Sequence, residues 1–300
     1  MSAARLVLVG EQRSGTTLLA RMLDAQPGVR VRVAALTFAL RFAADRGLAP
    51  RAPLGALARE ALARELTRGL AAAGVGARLA PADFATFAEA AQRAIDAIGA
   101  DGSGDRARVA GSKEHAPAAM IAPLLRDAGV HVLYLVRDPR DVVRSRARRG
   151  EGELARKLVS WRESVGAALA LDHPRLCVVR YEDLARDPAG AFARIEAAFG
   201  WGLDPVLAAA WRPLAGQPTN TSFGVELDAV DARPVERWRE APREPWVRFA
   251  GAYCAPELAR LGYAPGPPLA AWEARSHRAL GAAVAWRRRA GALLRHLRAR

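Results

Sequence analysis

Lysine is almost absent from this sequence. Of 45 basic residues only Lys113 and Lys157 are lysines, the rest being arginines. Where nearly every cation is a planar guanidinium, a surviving lysine marks a candidate position for a compact point charge. Chance survival on a helix face is the blander reading, and the one adopted for Lys157. Cysteine is scarce too: Cys177 lies inside an apolar, strand-like run and Cys254 is isolated, which excludes a disulfide-built scaffold. No apolar run reaches the roughly 18 residues of a membrane span, and Leu6 to Val9 is too short for a secretory signal. A cytoplasmic location is the expectation. Acid is missing from one stretch: residues 275–300 hold eight arginines and no Asp or Glu, so only +6 of the formal +14 net charge rests on the remainder. That moderate excess suits an enzyme for an anionic ligand.

What the chain does have is 300 residues with 51% hydrophobic content, enough for one large α/β core. It is organised around Val7-Leu8-Val9-Gly10-Glu11-Gln12-Arg13-Ser14-Gly15-Thr16-Thr17-Leu18-Leu19. A short apolar run ends in a Gly-bounded turn and gives way to helical spacing, the layout of a phosphate-binding loop. The spacing fits G-x-x-x-x-G-K-[ST] except at the lysine, where Thr16 stands. In an ATPase that lysine reaches the β- and γ-phosphates, so its loss argues against nucleoside triphosphate hydrolysis. Backbone N–H groups and a helix N-terminus still cradle one phosphate, and a cation sits earlier, at Arg13.

Beyond the loop, strands alternate with helices. Val29–Val33, residues 108–112, His131–Val136 and Leu176–Val179 read as further strands, and residues 34–104 as an Ala-rich helical region with Leu54, Leu57, Leu62, Leu66 and Leu70 on one face. Gly99 to Gly104 reads as a surface loop and Arg180 to Asp183 as another. His131–Val136 is apolar throughout and therefore central and parallel. It delivers Arg137, after which Asp138 caps and Pro139 opens a helix. The fold class is α/β: a P-loop-like, three-layer arrangement with a mainly parallel central sheet flanked by helices, a helical insertion at 34–104 and a C-terminal helix. Its ligand belongs beyond the carboxyl ends of the strands, where Gly10, Lys113, Arg137 and Tyr181 stand. Residues 213–247, with five prolines, read as an extended segment folding back over that edge.

Two of these motifs together point to a family. Arg13-Ser14-Gly15-Thr16-Thr17, followed by Tyr134-Leu135-Val136-Arg137-Asp138-Pro139-Arg140-Asp141-Val142-Val143-Arg144-Ser145, resembles the two cofactor signatures of sulfotransferases that use 3′-phosphoadenosine 5′-phosphosulfate (PAPS). The resemblance runs from about residue 5 to about residue 263, weakest in the 34–104 helices. It implies a sulfotransferase domain at 1–265 whose 34–104 helices form the acceptor side, followed by a basic helix at 266–300. It also implies that Arg13, Ser14, Gly15, Thr16 and Thr17 hold the 5′ end of the donor. Arg137 and Ser145 then take the 3′-phosphate, joined by Arg149 one turn farther along the same helix face. Arg144, Arg146 and Arg148 read as a solvated basic face. Tyr181, in Val179-Arg180-Tyr181-Glu182-Asp183-Leu184, is placed against the adenosine or in the core, and Arg233 and Arg237 form a late basic element reaching the 3′-phosphate.

Lys113-Glu114-His115-Ala116-Pro117 resembles the Lys-x-His-x-Pro element of cytosolic sulfotransferases, whose histidine removes the acceptor proton. A neutral imidazole suits that task near neutral pH. Charge developing on the leaving oxygen calls for Arg13 and Lys113. Ala20 to Arg30 is similar to the matching run of tyrosylprotein sulfotransferases, yet Val33, Ala34 and Ala35 stand where those enzymes place a catalytic glutamate. His115 is therefore the expected base, with Glu114 as substitute, and protein tyrosine is disfavoured as acceptor. The expected acceptor is a hydroxyl on a small molecule, carbohydrate or lipid, with no metal and no nucleic acid involved. A P-loop nucleotide kinase and a non-catalytic, basic nucleic-acid-binding protein are the rival readings. The tail, 270–300, reads as one basic amphipathic helix, either lying on an anionic membrane or docked on the core with its arginines in water.

Overall fold

The computed structural model describes residues 3–100, 107–115, 120–147, 153–209, 232–233 and 235–298. Five strands, β1 (Ala4–Val9), β2 (Val29–Val33), β3 (Val109–Glu114), β4 (His131–Val136) and β5 (Leu176–Arg180), form one sheet in the order β2-β3-β1-β4-β5. Every pairing is parallel. The helices in chain order are α1 (Thr16–Asp24), α2 (Thr37–Arg46), α3 (Ala56–Ala72), α4 (Phe87–Ala100), α5 (Ile121–Arg126), α6 (Pro139–Ala147), α7 (Leu154–Leu169), α8 (Tyr181–Arg186), α9 (Pro188–Phe199), α10 (Pro245–Tyr253), α11 (Ala255–Arg260) and α12 (Ala271–Arg298).

Strand periodicity sorts the core into two layers. Along β1, Val7 and Val9 join a cluster with α2 to α5, α7, α10 and α11, whereas Leu6 and Leu8 face the other way, onto α1, α8 and α9. Along β4, Val132, Tyr134 and Val136 divide from Leu133 and Leu135 in the same manner. Both faces of these strands are covered, which is why they read as continuous apolar runs instead of alternating ones. At about 1.5–3 kcal/mol for each fully buried aliphatic side chain, the two layers supply the main driving force for the fold.

The expected α/β architecture is present, with local corrections. β3 runs through Lys113 and Glu114, which pair with Leu8 and Val9 of β1, so the strand does not stop at Ser112. Arg180 ends β5 and Tyr181 opens α8 at once, where a loop was expected. Gly99 and Ala100 close α4, and 101–106 lie outside the described residues. Leu57 is 82% exposed, so the apolar face of α3 consists of Leu62, Leu66 and Leu70. The proline-punctuated segment is described at 232–233 and from 235 on; the turn Arg237–Glu240 lies against α6, where Trp238 N–H donates to Asp141 Oδ1 at 2.7 Å.

Candidate active site

Gly10, His115, Arg137 and Tyr181 each follow the last residue of a strand, so the turns after four neighbouring strands meet at one edge of the sheet. Gly10 is required sterically: a Cβ there would lie 2.4 Å from the Leu135 carbonyl oxygen and 2.8 Å from Thr16 Cγ2. The turn closes through Ser14 N–H to Glu11 O at 3.1 Å. Gly15 adopts φ 87°, a left-handed conformation that disfavours side chains, and a Cβ there would meet the Tyr181 ring at 2.5 Å. Thr16 then opens α1 without any side-chain cap. The first N–H groups of a helix have no partner within it, and the dipole favours negative charge there. Ser14 Oγ is buried and has no hydrogen-bond partner among the described residues. An orphaned hydroxyl in an uncapped Gly turn fits a phosphate oxygen.

A second cluster adjoins the first. Arg137 is held by Trp161, whose Nε1–H donates to the Arg137 carbonyl at 3.0 Å. Its Nη1 donates to Arg13 O at 2.9 Å, and its guanidinium stands 4.7 Å from the Tyr181 ring centre. Arg13 Nε donates to Ser145 Oγ on α6 at 3.1 Å. Asp138 caps α6 by accepting from Arg140 N–H at 2.9 Å, while Asp138 N–H donates to Glu182 Oε1 at 3.0 Å. Glu182 in turn accepts from Tyr263 OH at 2.7 Å. The phosphate loop, the β4 turn and the β5 turn are therefore bolted to one another, with two guanidinium groups and a hydroxyl at the junction.

The third group is His115. Lys113 Nζ lies 2.8 Å from His115 Nε2, and Nδ1 lies 3.3 Å from Gly10 O. An ammonium can only donate, so Nε2 accepts, and the ring proton sits on Nδ1, donating to the carbonyl. His115 keeps an exposed edge, yet enclosure of the rest of the ring, then the charges of Lys113, Arg146 and Lys157, lower its pKa from 6.5 to about 4. Burial likewise lowers Lys113. Glu114 points to the opposite side of β3, where it is fully buried. It accepts from Leu36 N–H at 2.7 Å, Ser112 Oγ at 2.5 Å and Thr37 Oγ1, and so caps α2. Burial is the first cause of its raised pKa.

The sequence matches the profile of the sulfotransferase family over residues 5–205. The chain belongs to the sulfotransferase family. Two solved sulfotransferase domains share its fold. One, from the curacin biosynthetic pathway, is 16% identical with a TM-score of 0.52, over 88% of this chain and 99% of that one. The other, from the Synechococcus PCC 7002 olefin synthase, is 18% identical with a TM-score of 0.54, over 88% and 96%. No curated protein matches the chain. Family membership sets aside the kinase and the non-catalytic nucleic-acid-binding readings.

Within this sulfotransferase the expected residues fall into place unevenly. Arg13, Ser14, Gly15, Thr16, Thr17, Arg137, Ser145 and Tyr181 converge, and Lys113 and His115 adjoin them at Gly10. Arg237 lies in the turn docked on α6, with its Nε 3.4 Å from Glu240 Oε1, and Arg233 is an exposed turn residue. Arg149 and Arg148 lie outside the described residues. The reading of a solvated basic face fails at Arg146, which is 2% exposed and donates to Gln12 Oε1 at 2.9 Å. Arg144 stands between Glu240 and Glu244, each at 3.5 Å. Glu114, the substitute base, is spent on the α2 cap. Lys157, read as a chance survivor, is the last and smallest of the named contributions that lower the His115 pKa. Of the chain's two lysines, Lys113 is the one in contact with the imidazole.

Proposed function

We propose that this sulfotransferase moves a sulfuryl group from PAPS to an acceptor hydroxyl, with His115 as the general base. The observation that carries the reading is the adjacency of two anion cradles, the uncapped Ser14–Thr17 turn and the Arg137/Ser145 junction, to a neutral imidazole held by the same loop. A donor with a 5′-phosphosulfate and a 3′-phosphate needs two such cradles, and the missing loop lysine removes only the part that serves a γ-phosphate. Ser14 to Thr17 hold the 5′ end, while Arg137, Ser145, Arg149, Arg233 and Arg237 are the candidates for the 3′-phosphate, where guanidinium forks bind well. The Tyr181 ring lies against Gly15 and beneath the guanidinium of Arg137.

The donor supplies a sulfuryl group whose bond to the 5′-phosphate oxygen breaks as the acceptor oxygen takes the sulfur. For the acceptor to lose its proton, His115 Nε2 exchanges Lys113 for the hydroxyl, while Nδ1–H stays on Gly10 O and keeps the ring aimed. Lys113, released, is left beside the developing negative charge, with Arg13 the second cation. A positioned base of this kind contributes on the order of 10²–10⁴ in rate. The 34–104 helices begin at the Glu114-capped end of α2, beside His115, and form the acceptor side of the 1–265 domain. A small molecule, carbohydrate or lipid bearing a hydroxyl is the acceptor class.

Calorimetric titration with adenosine 3′,5′-bisphosphate tests the donor. Saturable binding that weakens at least about tenfold in Arg137→Ala, the loss of a charge-assisted pair, is expected. Absence of binding at millimolar ligand would sink the proposal.

A further inference from the structure

The two faces of α12 are unlike. Its inner face is fixed to the body: Glu273 pairs with Arg248 of α10, the His277 ring lies 5.6 Å from that of Phe249, and Val284 and Ala285 pack on the core. At Gly281 a Cβ would come 2.1 Å from the Tyr253 ring, so only glycine lets the helix lie this close. Among the described residues, large apolar side chains on the outer face stay exposed. Trp272 is 66% exposed, Leu280 48% and Trp286 71%, and Trp246 on neighbouring α10 adds a fourth exposed apolar side chain at 37%. Trp161, Trp201 and Trp238, by contrast, are buried. Exposure of large apolar groups among the described residues is thus concentrated on one side of the molecule, with Leu57 and Val206 the exceptions.

Helical spacing of 100° per residue puts Trp272, Ala279, Ala283 and Trp286 within about 60° of one another, along a stripe of roughly 21 Å. Exposed Arg275 and Arg278 flank it on one side and Arg287 on the other. The helix's acid, Glu273, is turned inward and paired. From 275 to 300 the sequence is wholly without acid and carries eight arginines. No helix among the described residues is long and apolar enough to cross a membrane.

We infer that the outer face of α12 is a docking surface for an anionic phospholipid bilayer, with Trp272 and Trp286 entering the headgroup region and the arginines meeting lipid phosphates. Tryptophan favours that region because its ring is apolar and its N–H polar, and arginine adds attraction to an anionic leaflet. Scattered exposed apolar residues need no explanation; two tryptophans aligned on a helix whose other face is already packed, edged by cations with no competing acid, have the pattern of an interfacial helix. A second copy of this chain would bring arginines against arginines, and nucleic acid alone does not account for the apolar stripe.

The full chain is sedimented with phosphatidylcholine vesicles and with equimolar phosphatidylcholine and phosphatidylglycerol. Binding to the anionic vesicles only, weakened by salt, is expected. The double variant Trp272→Ala/Trp286→Ala should bind at least about tenfold more weakly, and Arg275→Glu/Arg278→Glu/Arg287→Glu should not bind. Both sets lie on the surface and should melt like the parent and keep its binding of adenosine 3′,5′-bisphosphate, a readout independent of the membrane. No binding to anionic vesicles overturns the inference, as does undiminished binding by the tryptophan variant. Self-association in sedimentation equilibrium that either variant abolishes, or DNA binding that outcompetes the vesicles, also overturns it.

Discussion

Lys113 Nζ stands 2.8 Å from His115 Nε2, so the nitrogen assigned to take the acceptor proton already has a cationic partner. Burial of the ring and then the nearby Lys113 charge disfavour protonation, and the imidazole stays neutral well below its ordinary range.

The pH dependence follows with a definite sign. His115 has a pKa of about 4 in the folded chain, against about 6.5 in an unfolded one. The active neutral form therefore persists into acid, and the acid limb of kcat/KM should fall near pH 4 to 5 instead of 6.5. Because the unfolded state binds a proton between those values that the native state does not, this group lowers stability as pH drops from about 6.5 to about 4. His115→Ala should lose turnover by about 10²-fold or more, keep adenosine 3′,5′-bisphosphate binding, and melt closer to the parent at pH 4.5 than at pH 7.5. Normal turnover in this variant would remove His115 as base.

Removal of the lysine charges should move the same titration upward. In an NMR titration of the His115 imidazole, Lys113→Met is expected to raise its pKa toward 6.5, and Lys157→Met to raise it by less, since Lys113 acts on it more strongly. An unmoved resonance in Lys113→Met would refute the coupling.

Gly15→Ala tests the loop. A left-handed conformation costs a residue with Cβ about 1–2 kcal/mol, and the new methyl also meets Tyr181. Denaturant melts should show a loss of at least that size together with weaker adenosine 3′,5′-bisphosphate binding. Tyr181→Ala in the same chain should recover the steric part and not the conformational part.

Glu114 separates structure from chemistry. Glu114→Ala strands the N–H of Leu36 and the hydroxyl of Thr37 and takes one of its partners from Ser112, and should lose at least about 1–3 kcal/mol of stability, the usual penalty for an unsatisfied buried group. Glu114→Gln keeps an acceptor oxygen and should turn over within a few-fold of the parent. A hundredfold loss in a folded Glu114→Gln would return the base role to Glu114.

Local grammar was legible where each residue states its own job. The run from Val7 to Thr17 and the run from Tyr134 to Ser145 announce strand, turn and helix through apolar length, glycine and Asp-Pro, and the structure has them there. What stayed hidden depends on side chains meeting across the sheet. Arg146 is separated from Gln12 by 134 residues, and Glu114 from Leu36 by 78. No periodicity in α6 or β3 reports those partners, so a buried guanidinium looked like a solvated one and a helix cap looked like a spare base. The register of β3 decided the latter: extension of the strand through Lys113 and Glu114 sends their side chains to opposite faces.

The Gly10 carbonyl accepts from His115 Nδ1–H while its Cα lies against Leu135 O, where no side chain fits. Loop and base consequently share a pivot. On the proposed reading, a donor phosphate that shifted Gly10 would shift the acceptor of Nδ1–H as well, and with it the direction of Nε2. The loop that holds the donor is then also the one that fixes the imidazole.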